Sequence, residues 1–462
     1  NSSDNGQNRE LIGAENYIVQ NTTNWDIGAA TTITSVTAYN RYTRNQTEDC
    51  DGTQVRLCAT HYDNESEQFT QELRAFIDKD DFRLTFGGYY LNHDIELDVI
   101  APFFQDFPSA IMLDADVKQK AEGLAAFANI EYDLAEEWTL VVGARASRDE
   151  KEIDQINSFF LPADPANPFP GYEQSTNVPV GPNVGGNVFT DETIGSLRDF
   201  SENTWSGKLE LDYKPGQDTL IYGSISRGIK SAGFNNGFIT VPLPPEELQF
   251  DSETLLAYEV GYKSTFWDRK ANVSMAAFYY DYSDFQTLNF VGAGTFITNK
   301  DGNLYGAEAE FTVLPIEGLT LRLNGGFVDT ELSDVTNSGG VTADRDMALA
   351  PEWTLSAMAR YEFQLKDSDK FLGFQIDGNA RDSFFNDPGN NSAGEVPAFH
   401  VLNARVFLSD AAERFRVTAS VENVTDNQEI SSIFLLQGLG GYRYFFHNRP
   451  RWYSISFTYN FM

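Results

Sequence analysis

Apolar and polar residues alternate along much of this chain, most clearly at its end. In "RPRWYSISFTYNFM" every second residue from Tyr453 to Phe461 is apolar, and the residues between them are serine, threonine or asparagine. A period of two predicts β-strands with one apolar face and one polar face. That apolar face would meet a protein core in a soluble fold and lipid in an outer-membrane barrel.

The same alternation recurs in "WTLVVGARAS", "AYEVGYKSTF", "GAEAEFTVL", "LTLRLNGGF", "WTLSAMARYEF" and "FRVTASVEN". In these segments the polar positions carry full charges. They are Arg145, Glu259, Lys263, Glu308, Glu310, Arg322, Arg360, Glu362, Arg416 and Glu422. A charged face is compatible with a β-sandwich that has one solvent-exposed face, and it is equally compatible with a barrel that has a water-filled or plugged lumen. Alternation alone therefore leaves both folds open.

Connection lengths separate the two folds. Short turns are predicted at 78–81, 134–137, 214–218, 267–270, 315–318, 366–370 and 410–413. Long connections are predicted at 44–65, 99–116, 154–198, 230–251, 332–350, 383–398 and 425–450. Strict alternation of short and long connections places all short turns at one end of the sheet, as in outer-membrane barrels with short periplasmic turns and long extracellular loops. We therefore predict an all-β, transmembrane antiparallel β-barrel with about seventeen strands in this chain.

Tryptophans support this prediction. The six tryptophans lie at or near predicted strand ends, where they would form the aromatic girdles found at both membrane interfaces. They are Trp25, Trp138, Trp205, Trp267, Trp353 and Trp452.

Composition excludes several functions. The 462 residues include 68 acidic and 33 basic side chains, for a net charge of −35, which argues against a nucleic-acid partner. The four histidines are scattered, and no nucleophile–base pair or carboxylate pair stands out. The sequence therefore predicts no catalytic residues, no metal-binding histidine cluster and no enzymatic activity.

The only cysteines, Cys50 and Cys58, lie close together in a polar, turn-rich segment. They could form a local disulfide in an oxidising compartment, or they could be two unrelated thiols. The acidic run "NQTEDCDGT" around Cys50 offers oxygen ligands for calcium, although it lacks the spacing of an EF-hand. No other cofactor is predicted.

Several blocks resemble those of TonB-dependent outer-membrane receptors. They include "YGSISRGIKSAGFN" (222–235), the hairpin at 250–286, "NKDGNLYGAEAEF" (299–311), "VENVTD" (421–426) and the closing strand. Ile229 and Ala232 depart from the usual Phe and Gly of the first block, and Met462 follows the terminal aromatic residue. The similar blocks extend in order from about residue 31 to residue 461, so the resemblance covers most of the chain.

The resemblance implies a barrel of roughly 22 strands that encloses an N-terminal plug. Residues 1–462 would then be one β-barrel domain, incomplete on its N-terminal side and without the plug. The plug and first strands would come from another part of a longer polypeptide or from a second chain.

The implied location is the outer membrane, in contact with its lipid. The long loops would be extracellular, and the short turns and C-terminus periplasmic. The implied function is import of a scarce large solute, such as a ferric siderophore, cobalamin or an oligosaccharide. Energy would come from TonB and its inner-membrane complex through the plug. The alternative is a passive pore without a plug, and the sequence does not identify the ligand.

Loop aromatics are the candidate ligand contacts. "APFFQDF" contributes Phe103, Phe104 and Phe107, and "GGYRYFFHNR" contributes Tyr442, Arg443, Tyr444, Phe445 and Phe446. Aromatic and arginine side chains can stack on planar or sugar ligands. The same residues could instead pack loops together or lie in the upper girdle.

Overall fold

A computed structural model describes residues 11–49, 59–103, 111–160, 183–189, 197–236, 245–291, 294–337, 339–436 and 442–461. Its regular structure is β, apart from short 3-10 helices such as those at Pro245–Leu248 and Ser392–Gly394. Neither these helices nor any other in the described ranges has the length and apolar character needed to cross a bilayer.

The strands follow one another along the chain as follows: β1 Leu11–Asp26, β2 Thr31–Asp49, β3 Ala59–Asp78, β4 Phe82–Phe103, β5 Ile111–Ala135, β6 Trp138–Phe160, β7 Asn183–Phe189, β8 Asp199–Gly216, β9 Thr219–Lys230, β10 Gly233–Phe234, β11 Gln249–Phe250, β12 Glu253–Phe266, β13 Ala271–Val291, β14 Gly294–Val313, β15 Leu319–Thr336, β16 Thr342–Arg345, β17 Trp353–Gln364, β18 Lys370–Arg381, β19 Phe384–Phe385, β20 Glu395–Val396, β21 Phe399–Asp410, β22 Phe415–Glu422, β23 Ile430–Leu436, β24 Tyr442–His447 and β25 Trp452–Tyr459.

Nineteen of these strands form one sheet. Every pairing is antiparallel, and most strands pair with the strands before and after them in the chain. The short strands β7 and β16 pair with the ends of β6 and β15, so seventeen strands make up the wall itself. This confirms the predicted all-β antiparallel fold and the predicted strand number. The pairs β10–β11, β19–β20 and β23–β24 are separate two-stranded sheets within the long connections.

The first and last wall strands each leave one edge unpaired within the described ranges. There, β1 pairs only with β2, and β25 pairs only with β22. Side chains on these strands are strongly exposed; Ile455 on β25, for example, is 81% exposed.

Each strand presents an apolar face and a polar face, as the alternation predicts. Tyr258, Tyr279 and Tyr305 lie directly opposite one another on β12, β13 and β14, and all three are exposed on the apolar face. Glu259 and Glu308, one and three residues further along their strands, lie on the polar face by the same period of two. Large exposed hydrophobic residues concentrated on one face are what a lipid-facing wall requires.

The short turns lie where the sequence predicts them. The turn between β12 and β13 uses left-handed backbone at Trp267, Asp268 and Arg269, with φ of 55°, 51° and 62°. Gly318, in the turn before β15, has φ 78° and lies so close to the Glu362 carbonyl that a Cβ would overlap it. Glycine is therefore required at that turn.

Two predictions about the connections need correction. The strands extend into segments predicted to be loops: β2 continues to Asp49, β3 begins at Ala59, and β4 continues to Phe103. Short and long connections do not alternate strictly, because β13 ends at Val291 and β14 begins at Gly294. This brief connection lies at the long-loop end.

The tryptophans are only partly placed as predicted. Trp25, Trp138 and Trp353 lie at strand ends, but Trp205 lies in the middle of β8. Trp452 begins β25 on the polar face, where its indole N–H donates to Glu422 Oε2 at 2.6 Å. Trp452 is therefore not part of an apolar girdle.

The long connections pack on one another at one end of the wall. In the segments 337–352 and 382–398, Asn390 exchanges hydrogen bonds with Asp346, at 2.8 and 3.0 Å. Val396 packs with Ile433 and Leu435 of β23 in a buried cluster. We call the described residues of the segments 337–352, 382–398 and 423–451 the loop layer. Within it, the segment 382–398 packs against β23 and holds the β23–β24 hairpin in place.

Candidate functional site

The candidate site consists of the polar face of the wall and the loop layer above it. We describe the polar face in two regions. The first, called the acidic region, contains Glu259 on β12 and Glu308 and Glu310 on β14. The second, called the paired region, is the polar face of β17, β18, β21 and β22.

Within the described ranges, the three carboxylates of the acidic region form no ion pair. Glu259 Oε1 instead accepts a hydrogen bond from the Tyr222 hydroxyl at 2.5 Å. The nearby Lys263 places its Nζ 5.6 Å from the centroid of the Tyr222 ring. The carboxylates of this region therefore remain available to a cationic partner.

The paired region satisfies four of its charges internally. Arg405 binds Asp377 at 2.7 Å, and Arg360 binds Glu362 at 2.7 Å. Asp377 also accepts hydrogen bonds from Asn403 and Gln375. These charges stabilise the wall and leave less capacity for an external partner.

Two cavities lie along the polar face. One of about 1300 Å³ is lined mainly by residues of β1 to β6, β8 and β9, including Glu72, Arg74, Arg145 and Lys208. The other, of about 570 Å³, lies between the wall and the base of the β23–β24 hairpin. Its lining includes Glu308, Glu310, Asn324, Asn379 and Arg381 from the wall and Ser431 and Asn448 from the loop layer. Both cavities offer polar groups to a large hydrophilic partner.

The described parts of the connection between β9 and β12, residues 231–236 and 245–252, pack against the polar face. Phe234 and Leu248 pack on Val117 and Ile153 of β5 and β6. Next to Phe234, Asn235 exchanges hydrogen bonds with the backbone of Ile297 on β14. Because other strands separate β6 from β14 in the sheet, these contacts join distant parts of the wall.

The predicted ligand contacts are in different environments. Phe103, at the end of β4, is only 2% exposed, so its side chain is not available to a ligand in this conformation. Phe104 and Phe107 lie outside the described residues. Tyr442 begins β24, but its side chain is likewise outside the description.

The remaining predicted contacts lie together on β24. Tyr444, Phe445 and Phe446 are 38%, 41% and 48% exposed. The Tyr444 and Phe446 rings pack with centroids 5.0 Å apart, and Arg443 lies 5.7 Å from the Phe445 ring. Because Phe445 pairs with the buried Ile433, Tyr444 and Phe446 lie on the opposite face of the hairpin.

Two carboxyl groups in the loop layer have shifted pKa values. Burial raises the pKa of Asp387, against hydrogen bonds from the backbone of Asn391 and Gly389. The backbone N–H of Arg451 and the side chain of Gln428 lower the pKa of Asp426. Protonation of Asp387 should therefore stabilise the folded loop layer, whereas protonation of Asp426 should destabilise it.

Cys50 and Cys58 lie outside the described residues, so the disulfide stays a prediction. No group of three or more potential metal ligands occurs in the described part of the chain, while much of the acidic run proposed for calcium lies beyond it. The sequence reasoning also missed Tyr222. Its signal was an aromatic residue at a polar position of the alternating pattern in "YGSIS".

A family model described as TonB dependent receptor-like, beta-barrel, matches residues 1–424. Three solved structures share the fold. The ferric yersiniabactin uptake receptor FyuA from Yersinia pestis matches with a TM-score of 0.75 and 18% identity, over 98% of this chain and 62% of its own. The siderophore receptor PiuA from Acinetobacter baumannii matches with a TM-score of 0.67 and 14% identity, over 97% of this chain and 65% of its own. The copper transporter OprC matches with a TM-score of 0.66 and 12% identity, also over 97% of this chain and 65% of its own. This chain thus spans less than two thirds of the length of each.

Proposed function

Because the chain belongs to the TonB-dependent receptor-like β-barrel family, whose members are outer-membrane receptors, we propose that it forms the wall of an active importer. The importer takes up a scarce large solute with energy that TonB transmits from the inner membrane. The observation that carries this proposal is the acidic region, where Glu259, Glu308 and Glu310 face the lumen without ion-pair partners among the described residues.

Unpaired carboxylates in a confined lumen repel one another and attract cations. A plug with basic side chains against β12 and β14 would neutralise them and would block free diffusion. Rearrangement of that plug would then couple TonB energy to solute entry. The plug and remaining strands would be supplied by further sequence of the same polypeptide or by a second chain, since this chain matches 62% of FyuA.

The ligand would bind first at the loop layer. Tyr444 and Phe446 present two packed rings on one face of the hairpin, and Arg443 lies next to Phe445 on the other face. The two rings suit a planar or sugar-like group, and the exposed Arg443 suits an anionic one. A ferric siderophore combines these properties, so it is the ligand class that we propose first.

The alternative function is a passive pore. The described parts of the connection 231–252, where Phe234 and Leu248 pack on the polar face, are the kind of element that narrows a pore. A pore needs no energy source and remains open to small ions in a planar bilayer.

Uptake in living cells distinguishes these functions. The protein, with its natural flanking sequence, is expressed in cells that lack other iron receptors. These cells are given radiolabelled iron bound to a catecholate, a hydroxamate or citrate, and labelled cobalamin serves as a separate probe. We expect uptake of at least one probe, and we expect deletion of TonB to abolish it. Uptake that is unchanged without TonB would favour the pore.

A further inference from the structure

Three glycines on the polar face lie directly opposite aromatic residues of a neighbouring strand. The pairs are Gly261 with Tyr222, Gly306 with Phe278, and Gly373 with Phe407. A Cβ on any of these glycines would overlap the facing ring. In each pair the ring therefore covers the glycine, an arrangement in which the aromatic side chain supplies the packing that glycine lacks.

The pair of Tyr222 and Gly261 has an additional feature. The Tyr222 hydroxyl crosses from β9 to β12 and donates to Glu259, which lies two residues from Gly261 on the same face. Lys263, two residues from Gly261 in the other direction, has its Nζ 5.6 Å from the ring centroid. The ring thus lies along β12, between the carboxylate and the ammonium group.

Gly261 makes this hydrogen bond possible. Tyr222 is directly opposite Gly261, so its ring must pass over that position to reach the diagonal neighbour Glu259. Any side chain at position 261 would occupy the space that the ring needs. Loss of this space would direct the hydroxyl away from the carboxylate.

We propose that Tyr222 and Gly261 are positioning residues that hold the Glu259 carboxylate ready for a cationic group of the plug. This inference rests on the proposed function, since it requires a plug. A neutral hydroxyl donor fixes one carboxylate oxygen without cancelling its charge. The other oxygen, Oε2, has no hydrogen-bond partner among the described residues and can accept from a guanidinium or ammonium group.

The test measures how firmly the plug is held. Protein with its natural flanking sequence is placed in planar bilayers, and ionic conductance is recorded as urea increases. Tyr222→Phe keeps the ring over Gly261 and removes only the hydroxyl. We expect about a tenfold larger open fraction at a given urea concentration, since a hydrogen bond to a charged group contributes free energy of that order.

Two further variants separate positioning from folding. Gly261→Ala should open still more easily, and the double variant Gly261→Ala with Tyr222→Ala should recover part of its folded yield, because the overlap is removed. Gly223→Ala is the matched control on β9, since a Cβ there would have its nearest neighbour at 3.8 Å. It should open at the same urea concentration as the natural protein.

The outcomes are distinct. If Tyr222→Phe and the natural protein open at the same urea concentration, the positioning role is wrong while the importer proposal stands. If the natural protein conducts steadily without urea, there is no retained plug, and both proposals are wrong.

Discussion

The acidic region and the paired region lie on the same polar face, yet they use charge differently. In the paired region, Arg405 and Asp377 bind one another at 2.7 Å. In the acidic region, Glu259 meets only a neutral hydroxyl, and Glu308 and Glu310 line a cavity. The strands of both regions are antiparallel members of the same sheet, so the difference in charge pairing lies in the side chains. The paired region provides stability, whereas the acidic region leaves charge for a partner.

Overpacking at Gly373 should strongly destabilise the paired region. Phe407 covers Gly373 and lies between the guanidinium groups of Arg360 and Arg416, at 4.6 and 5.1 Å. Gly373→Ala should lower the free energy of unfolding by about 1–3 kcal/mol, because overpacking displaces the ring. Urea unfolding in lipid vesicles, followed by tryptophan fluorescence, measures this. The control Gly325→Ala, with its nearest contact at 3.7 Å, should have a much smaller effect.

Matched neutralisations compare the two regions directly. Asp377→Asn leaves Arg405 without its carboxylate and should lower the free energy of unfolding by about 1 kcal/mol. Glu308→Gln removes a carboxylate that has no ion-pair partner within the described ranges, so once urea has opened the lumen, the free energy of unfolding of the wall should change by less than about 0.5 kcal/mol. The same urea titration measures both variants. Equal losses would mean that the two regions do not differ as we describe.

The exposed aromatic residues of the β23–β24 hairpin should contribute to ligand binding more than to stability. Replacing both Tyr444 and Phe446 by alanine should raise the KM for uptake of the transported probe about tenfold, because two stacking surfaces are lost. Unfolding should change little, since both side chains are exposed. Phe103→Ala provides the contrast: its buried side chain should affect stability, while KM in the folded fraction stays the same. An unchanged KM in the double variant would remove the hairpin from the binding site.

The stability of the loop layer should depend weakly on pH through Asp387. Burial raises the pKa of Asp387, so the folded layer binds this proton more tightly than the unfolded chain does. Protection of residues 384–396 from hydrogen exchange, corrected for the intrinsic rate, should therefore increase as pH falls from neutral towards the usual carboxyl range. Asp387→Asn should flatten this dependence. A layer that loosens over the same range in the natural protein, but not in Asp387→Asn, would contradict the assignment.

Sequence reasoning predicted those features that depend on local periodicity. Alternation identified the polar-face charges, such as Glu259 and Glu308, and turn chemistry identified the short connections. The same alternation places Trp452 on the polar face, but the expectation of a girdle at strand ends overrode it. The position of a residue in the alternating pattern predicts its face better than its nearness to a strand end does, because successive residues of a strand lie on opposite faces.

Features that depend on distant residues were not predictable from the pattern. The segment leading to Asp49 is polar throughout, so nothing in its periodicity showed that β2 continues there. The contact of Asn386 with the backbone of Ile433 joins two loops far apart in the chain. The hydrogen bond from Tyr222 to Glu259 depends on the register of β9 and β12. Only the paired sheet defines that register.

Carboxyl footprinting can show whether a partner covers the acidic region. Protein with its natural flanking sequence is treated with a water-soluble carbodiimide and an amine, before and after urea opens the lumen, and modified residues are located by mass spectrometry. Asp268, in an exposed turn, reports the labelling rate of a free carboxylate. We predict that Glu308 and Glu310 are protected before opening and become labelled like Asp268 afterwards. Labelling of both at the rate of Asp268 before opening would contradict the account, because no partner would then cover the acidic region.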